Sequence, residues 1–253
     1  MTKKLLGVTF LGLACSMLPL AAAPVSDTIS LDRGWLFRLG DAADASITVQ
    51  KALAEEWREV NVPHDFQIEQ PWVAPSADER ADMSDAGANI KSRLSARGFK
   101  EMGGGWYVRT ITPDVAKKGK RALLDFQGIM YYGDVYLNGA RIGGTDYGYV
   151  GFEIDVTDKL NYGQENTLAV YANTGEPKQS RWYTGGGLIR DVKLVYTDPQ
   201  LYFMRHPLYI TTKENKTVLI TANVQCTTKE NTLKMHLTVT APDGSVSRRA
   251  KRS

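Results

Sequence analysis

Along most of the chain, hydrophobic and polar residues alternate with a period of two, the spacing of a half-buried β-strand. The first such run is Ser30-Leu31-Asp32 leading into Gly34-Trp35-Leu36-Phe37-Arg38. Residues 52–57 read as a short helical turn before Val60-Asn61-Val62-Pro63. Residues 70–102, rich in Ala, Ser, Asp and Arg, then break the pattern. A loop of that length inside a compact domain is either functional or disordered. Strand-like runs resume at 105–111, 121–126, 133–139, 141–143, 152–156, 166–171 and 191–196. The 133–139 run ends in Asn138-Gly139, a hairpin signal because both residues tolerate positive φ. Turns at this spacing, without a long helical period, predict a β-sandwich over residues 27–197.

Asp198-Pro199 marks a domain boundary. Beyond it, residues 201–211, 217–226 and 233–240 read as three strands, followed by the turn Ala241-Pro242-Asp243-Gly244. Three strands cannot bury both faces of a second sandwich, so residues 199–253 are expected to be an incomplete domain. A genuine three-stranded appendage is the alternative.

Composition fits this picture. The 23 glycines and 12 tyrosines suit short strands punctuated by turns. The net charge of +3 comes from the end of the chain. Setting aside Arg248, Arg249, Lys251 and Arg252 leaves 27 basic residues against 28 acidic ones. The body is therefore near neutral, with no electrostatic footprint for nucleic acid. The basic tail reads as a frayed terminus. At the other end, Lys3 and Lys4 precede an uncharged run over residues 5–20, followed by Ala21-Ala22-Ala23. Residues 1–23 thus read as a signal peptide, and the protein is expected to be exported, periplasmic or secreted. The apolar run is too short for a transmembrane anchor. Gly12 stands where a lipoprotein signal before Cys15 would place Leu, which argues against lipidation. Without the signal, Cys226 is the only cysteine and no intramolecular disulfide can form.

Candidate chemistry is sparse. The chain has no His-Glu-x-x-His, no Gly-x-Ser-x-Gly and no phosphate-binding glycine loop. His64, His206 and His236 are too scattered for a metal site, and nothing calls for a cofactor. Gly103-Gly104-Gly105 and Gly185-Gly186-Gly187 read as tight backbone turns. Glycoside hydrolysis needs two carboxylates facing one bond. Glu153 and Asp155 share a strand face but read as solvated surface residues. His64 and Asp65 imitate a catalytic dyad, yet after Pro63 both can bond loop backbone and lock a corner. Asn138-Gly139 reads as a turn, and Trp106, Tyr107, Phe126 and Tyr136 as core. Arg181, Trp182 and Tyr183 are the substrate-facing candidates. An exposed Trp stacks on a sugar ring, while Arg donates several hydrogen bonds to hydroxyls or a carboxylate. The 70–102 loop, with Trp72, Asp78, Glu79 and Arg80, would cap a substrate, dock against a neighbouring domain or be disordered.

These motifs, taken in order, resemble the sugar-binding domain of glycoside hydrolase family 2. Val62-Pro63-His64-Asp65-Phe66 is similar to its PHDW segment, and Gly105-Trp106-Tyr107-Val108-Arg109 to its GWYRR strand. Phe126-Gln127-Gly128-Ile129-Met130-Tyr131 resembles FDGVMY, and Val135-Tyr136-Leu137-Asn138-Gly139 resembles VYVNG. Tyr147-Gly148-Tyr149 with Phe152-Glu153-Ile154-Asp155-Val156 resembles YGYTPFxxDIT. The run from Arg181 to Val192 resembles RWYxGSGIYRxV. Phe66 replaces the usual Trp, Leu188-Ile189 replaces Ile-Tyr, and the 71–102 stretch is longer and more polar than in many relatives.

The resemblance implies a galactose-binding-like jelly roll, then an immunoglobulin-like sandwich, then a TIM barrel that carries both catalytic glutamates. No barrel is present in these 253 residues. The chain is thus expected to be the non-catalytic N-terminal portion of a β-galactosidase-like enzyme, unable to cleave alone. Its partners would be the catalytic barrel and, through the complete enzyme, a carbohydrate whose O-glycosyl bond is hydrolysed with retention. The resemblance places the Arg181 loop near the active-site mouth. β-Glucuronidases and β-mannosidases share the architecture, so the sugar stays open. A stand-alone carbohydrate-binding module and a purely structural domain are the alternatives.

Overall fold

The computed structural model describes residues 26–40, 46–74, 77, 98–175, 183–213, 217–227 and 234–252. The expected signal peptide, Arg181 and Trp182 lie outside the described residues, as do Asp78, Glu79 and Arg80. The chain divides into two compact units, one over Ser26–Tyr196 and one that contains the residues from Thr197 onward.

The first unit is a β-sandwich. Its strands are β1 Asp27–Ser30, β2 Trp35–Leu39, β3 Arg58–Val60, β4 Gly104–Ile111, β5 Arg121–Phe126, β6 Ile129–Met130, β7 Tyr132–Leu137, β8 Ala140–Thr145, β9 Phe152–Asp155, β10 Asn166–Asn173, β11 Gly187–Leu188 and β12 Val192–Thr197. One sheet has the order β3-β2-β4-β10-β7-β8, the other β1-β12-β5-β9, and β11 pairs with β6 in a small ladder. The Val62–Pro63 and Met130–Tyr131 peptide bonds are cis.

Period-two alternation builds the core between the sheets. Ala122, Leu124 and Phe126 of β5 and Val192, Leu194 and Tyr196 of β12 share one buried cluster with Trp35, Phe37, Tyr107, Leu168, Val170 and Ala172 from the larger sheet. β4 and β10 are buried on their other face too. There Trp106, Val108, Ala169 and Tyr171 pack with Ile47, Ala52 and Trp57. The cover is α1, Val49–Ala54, whose N-cap Thr48 accepts a hydrogen bond from the Lys51 amide. This explains why the 105–111 and 166–171 runs are apolar at successive positions. Burying each large side chain on this second face contributes about 1.5–3 kcal/mol.

The β7–β8 hairpin turns at Asn138 and Gly139, with φ of 51° and 80°, the type I′ geometry of a two-residue loop. The Asn138 amide does more than turn. It donates to Asn166 Oδ1 (2.9 Å) and accepts from the Thr167 amide (3.0 Å). Asn166 is buried, and its Nδ2 donates to the Asn161 and Gln164 carbonyls. The hairpin tip is thereby tied to the loop before β10.

The second unit differs from the three strands expected of it. It contains β13 Leu201–Lys213, β14 Thr217–Cys226, β15 Lys234–Thr240 and β16 Val246–Arg252. They form two separate antiparallel ladders, β13–β14 and β15–β16. The basic tail read as frayed is the fourth strand. It has almost no apolar residues, so periodicity could not reveal it. The turn supplies the pairing: Ala241 N–H donates to the Ser245 carbonyl, and Asp243 accepts from the Ser245 amide.

Candidate functional site

The residues with the strongest chemical potential meet at one corner of the first unit. The segment after Pro63 runs beside β11. His64 N–H donates to the Leu188 carbonyl (2.7 Å), and Phe66 N–H donates to the Gly186 carbonyl (2.9 Å). This short ladder points Asp65 at the glycine triplet. Asp65 Oδ1 accepts from the Gly186 amide (2.8 Å) and the Gln67 amide (3.1 Å), and Oδ2 accepts from the Tyr183 hydroxyl (2.7 Å). Residues 118 apart in sequence are thus joined by one carboxylate. Burial, reinforced by the hydrogen bond to Asp65, pushes the Tyr183 phenol well above its ordinary range. It therefore stays protonated and keeps donating.

His64 lies on the other side of this segment. Its Nδ1 and the buried Tyr107 hydroxyl are 2.7 Å apart. Its Nε2 sits 3.1 Å from Arg58 Nη2 and 3.3 Å from Glu69 Oε1, and Arg58 and Glu69 form an ion pair with each other. Arg58 also lies over the Phe37 ring, 5.2 Å from its centroid. Burial lowers the His64 pKa below 6.5; Glu69 opposes that shift and Arg58 adds to it. The imidazole is neutral at neutral pH.

The glycine triplet makes the corner possible. Gly187 has φ of 118°, and a Cβ there would overlap the Tyr107 hydroxyl and lie 2.8 Å from the His64 carbonyl oxygen. The arrangement has the residue types of an acid–base site, but Asp65, Tyr183 and His64 are each engaged within the protein, while the buried Gln67 Oε1 has no hydrogen-bond partner. Its chemistry is that of a joint.

The remaining candidates fall elsewhere. Trp106 is buried against Tyr136 and Tyr171, with ring centroids 5.5 and 5.0 Å away. Asn138 and Gly139 form the hairpin tip described above. Glu153 and Asp155 are exposed on β9. Burial would raise the Asp155 pKa, but hydrogen bonds from Thr157 and the nearby Arg121 outweigh it and hold the carboxyl below its usual range. The structure therefore brings Asp65 and Tyr183 together, with His64 on the flank, and separates them from Trp106 and Asn138. Among the described residues of the 70–102 stretch, Trp72 bridges to Lys100, whose ammonium lies 3.9 Å from the indole centroid. That ammonium also donates to the Gln70 carbonyl (2.9 Å).

This sandwich has counterparts in known proteins. Residues 101–209 match the family described as glycosyl hydrolase 2 galactose-binding domain-like. Beta-galactosidase BoGH2A of Bacteroides ovatus is 33% identical over 187 residues, covering 74% of this chain and 20% of that protein. The chain belongs to glycoside hydrolase family 2 through this galactose-binding-like domain. A family 2 relationship also appears with a beta-glucuronidase of Bacteroides fragilis, 34% identical over 115 residues, which cover 44% of this chain and 16% of that one. The crystal structure of a beta-glycosidase from Bacteroides vulgatus superposes with a TM-score of 0.72 at 28% identity, covering 90% of this chain and 28% of that chain. The family 2 chain thus spans about a fifth of the length of the first of these relatives.

Within this family 2 domain, several residues that hold the corner together carry no sequence signal. Gln67, Glu69 and Arg58 lie in short polar segments without periodicity. Only the order of the family motifs links Asp65 to the segment containing Tyr183.

Proposed function

We propose that this chain is the non-catalytic, sugar-associated portion of an exported family 2 glycosidase. The complete protein would hydrolyse terminal β-galactosides with retention, using carboxylates supplied from outside these 253 residues. The observation that carries this reading is the matched span. A galactose-binding-like family matches residues 101–209, the chain's match covers 20% of a β-galactosidase, and the hydrolytic work in such an enzyme needs a carboxylate pair across one glycosidic bond. Asp65, the acid best placed beside a histidine and a tyrosine, is bound to Tyr183 and three backbone amides, those of Gln67, Ile68 and Gly186. Its position supports a role in holding the segment that carries Arg181 and Trp182, the residues proposed to face substrate. Export is supported by Lys3, Lys4 and the uncharged run that follows them.

The test is turnover by the natural gene product, purified from its source. It is expected to release nitrophenolate from 4-nitrophenyl β-galactoside. Failure to hydrolyse that substrate contradicts the reading.

A further inference from the structure

The second unit carries a charge asymmetry that the alternation of its strands turns into a face. Its hairpin Lys234–Arg252 contains five basic residues, Lys234, Arg248, Arg249, Lys251 and Arg252, and one acidic residue, Asp243. The rest of the chain holds 26 basic residues against 27 acidic ones. β15 and β16 pair without a break from Lys234 opposite Arg252 to Thr240 opposite Val246. Directly opposed positions share a face of an antiparallel ladder, and successive positions alternate between faces. Lys234, His236, Arg248 and Arg252 therefore fall on one face, with Ala250, Thr238, Thr240 and Val246. The last three are exposed, so this face is open to solvent from the turn to Thr238. Met235, Leu237 and Val239 fall on the other face, with Ser247, Arg249 and Lys251.

This placement of charge works against the ladder. Lys234 and Arg252 occupy directly opposed positions, and like charges so placed are destabilising. Arg248 stands on the same face, about 14 Å along the strand from Arg252. Asp243 is at the far end of the hairpin, in the turn, where it accepts from the Ser245 amide (2.8 Å). An anion that meets Lys234, Arg248 and Arg252 together offsets the repulsion, and to reach all three it must carry charge at more than one point. Thr238 and Thr240 add exposed hydroxyls to the face, able to exchange hydrogen bonds with the hydroxyls of a sugar. No Phe, Tyr or Trp stands between residues 234 and 252, so nucleic-acid bases find nothing to stack on. Val246 is the only branched apolar residue of the face, too little to anchor it in a lipid surface.

We infer that the face of Lys234, Arg248 and Arg252 binds an acidic polysaccharide, one whose carboxylates recur along the polymer, and so holds the protein on it. The guanidinium fork of arginine matches a planar carboxylate. The choice of a glycan among polyanions rests on the reading that the chain serves a carbohydrate enzyme. Such a contact is electrostatic and polyvalent, and it weakens as salt rises.

The test is calorimetric titration of the purified chain with polygalacturonate, and with a neutral galactan as the control polymer. Binding is expected to polygalacturonate alone, falling by about tenfold from about 50 to about 200 mM salt. Arg248→Gln together with Arg252→Gln is expected to weaken it by about thirtyfold, since each cation at an anionic surface is worth about a factor of five. Arg249→Gln together with Lys251→Gln removes the same charge from the opposite face and is expected to weaken it by less than about threefold. Arg248→Lys together with Arg252→Lys keeps the charge and is expected to retain binding, which maintains the test if the glutamine pair fails to fold. No binding, equal binding of the neutral galactan, equal losses in the two glutamine pairs or loss of binding in the lysine pair would each overturn the inference. So would tighter binding to a DNA duplex or to phosphatidylserine vesicles. None of these outcomes touches turnover of 4-nitrophenyl β-galactoside by the natural gene product, so the proposed function fails separately.

Discussion

At the Asp65 corner, backbone and side chains are both committed: the carboxylate joins Gln67, Tyr183 and Gly186, and the imidazole joins Tyr107 and Glu69. At the Tyr147–Tyr149 loop the backbone is held and the two exposed rings meet each other, with centroids 5.6 Å apart. Thr145, Arg190 and the buried Gly148 fix the chain, and the rings are left facing outward. Both places use tyrosine, aspartate and glycine. The difference teaches how to tell a cluster that carries stability from one that does not. Where the chemical groups are bonded inside the fold, a substitution should act on stability. Where the side chains lie exposed, a substitution should leave stability nearly unchanged.

Substitutions at the two places can break or sharpen this contrast. The largest expected effect is that of Gly187→Ala. The new Cβ meets the Tyr107 hydroxyl and the His64 carbonyl in a conformation L residues avoid, so a loss of about 3 kcal/mol is expected. In a thermal melt of a domain this size that is a drop of about 6–12 °C. An unchanged melt would show that the corner is loose. Next comes Asp65→Ala, which leaves the Gly186 and Gln67 amides and the Tyr183 hydroxyl without their acceptor. Denaturant unfolding should show a loss of about 2–3 kcal/mol, and Asp65→Asn, which keeps one acceptor oxygen, should lose less.

A smaller effect concerns pH. Burial lowers the folded pKa of His64 below its ordinary 6.5, so the unfolded chain binds the proton more readily. The stability associated with neutral His64 is present above pH 6.5 and declines as the pH falls from there toward the lowered folded value. Melting followed across that window should show a shallower decline in His64→Gln than in the parent, and equal slopes would remove His64 from the account. The smallest effect on stability belongs to Tyr147→Ala, within about 0.5 kcal/mol of the parent by denaturant unfolding. A larger loss would mean that Tyr147 supports the fold and that the contrast with the corner is false.

Much of the sandwich was legible because its strands have one buried face. Residues 121–126 read as a strand and form β5, and Asn138-Gly139 announced its own turn through its tolerance of positive φ. β16 was not legible, because Ser247, Arg248, Arg249, Lys251 and Arg252 give no apolar period and its partner is chosen by the Asp243 turn. The corner was legible in part. Pro63 followed by His64 and Asp65 indicated a locked bend, but the partner on the far side, Tyr183, is brought in by tertiary structure alone. For Tyr183, candidacy as a sugar contact rested on its neighbours in sequence, whereas its hydroxyl is turned to Asp65. The exposure of the Tyr147–Tyr149 loop was the least legible feature. Tyr147 and Tyr149 read as family motif residues, and only the burial of Gly148 between them shows that both rings point out.

The claim at the centre is that this chain handles sugar without cleaving it. The direct measurement is nitrophenolate absorbance during incubation of the purified 253-residue chain with 4-nitrophenyl β-galactoside. The account predicts no release above the buffer rate at any protein concentration. Release that scales with protein and is lost in Asp65→Asn would contradict it, because the corner would then be a catalyst.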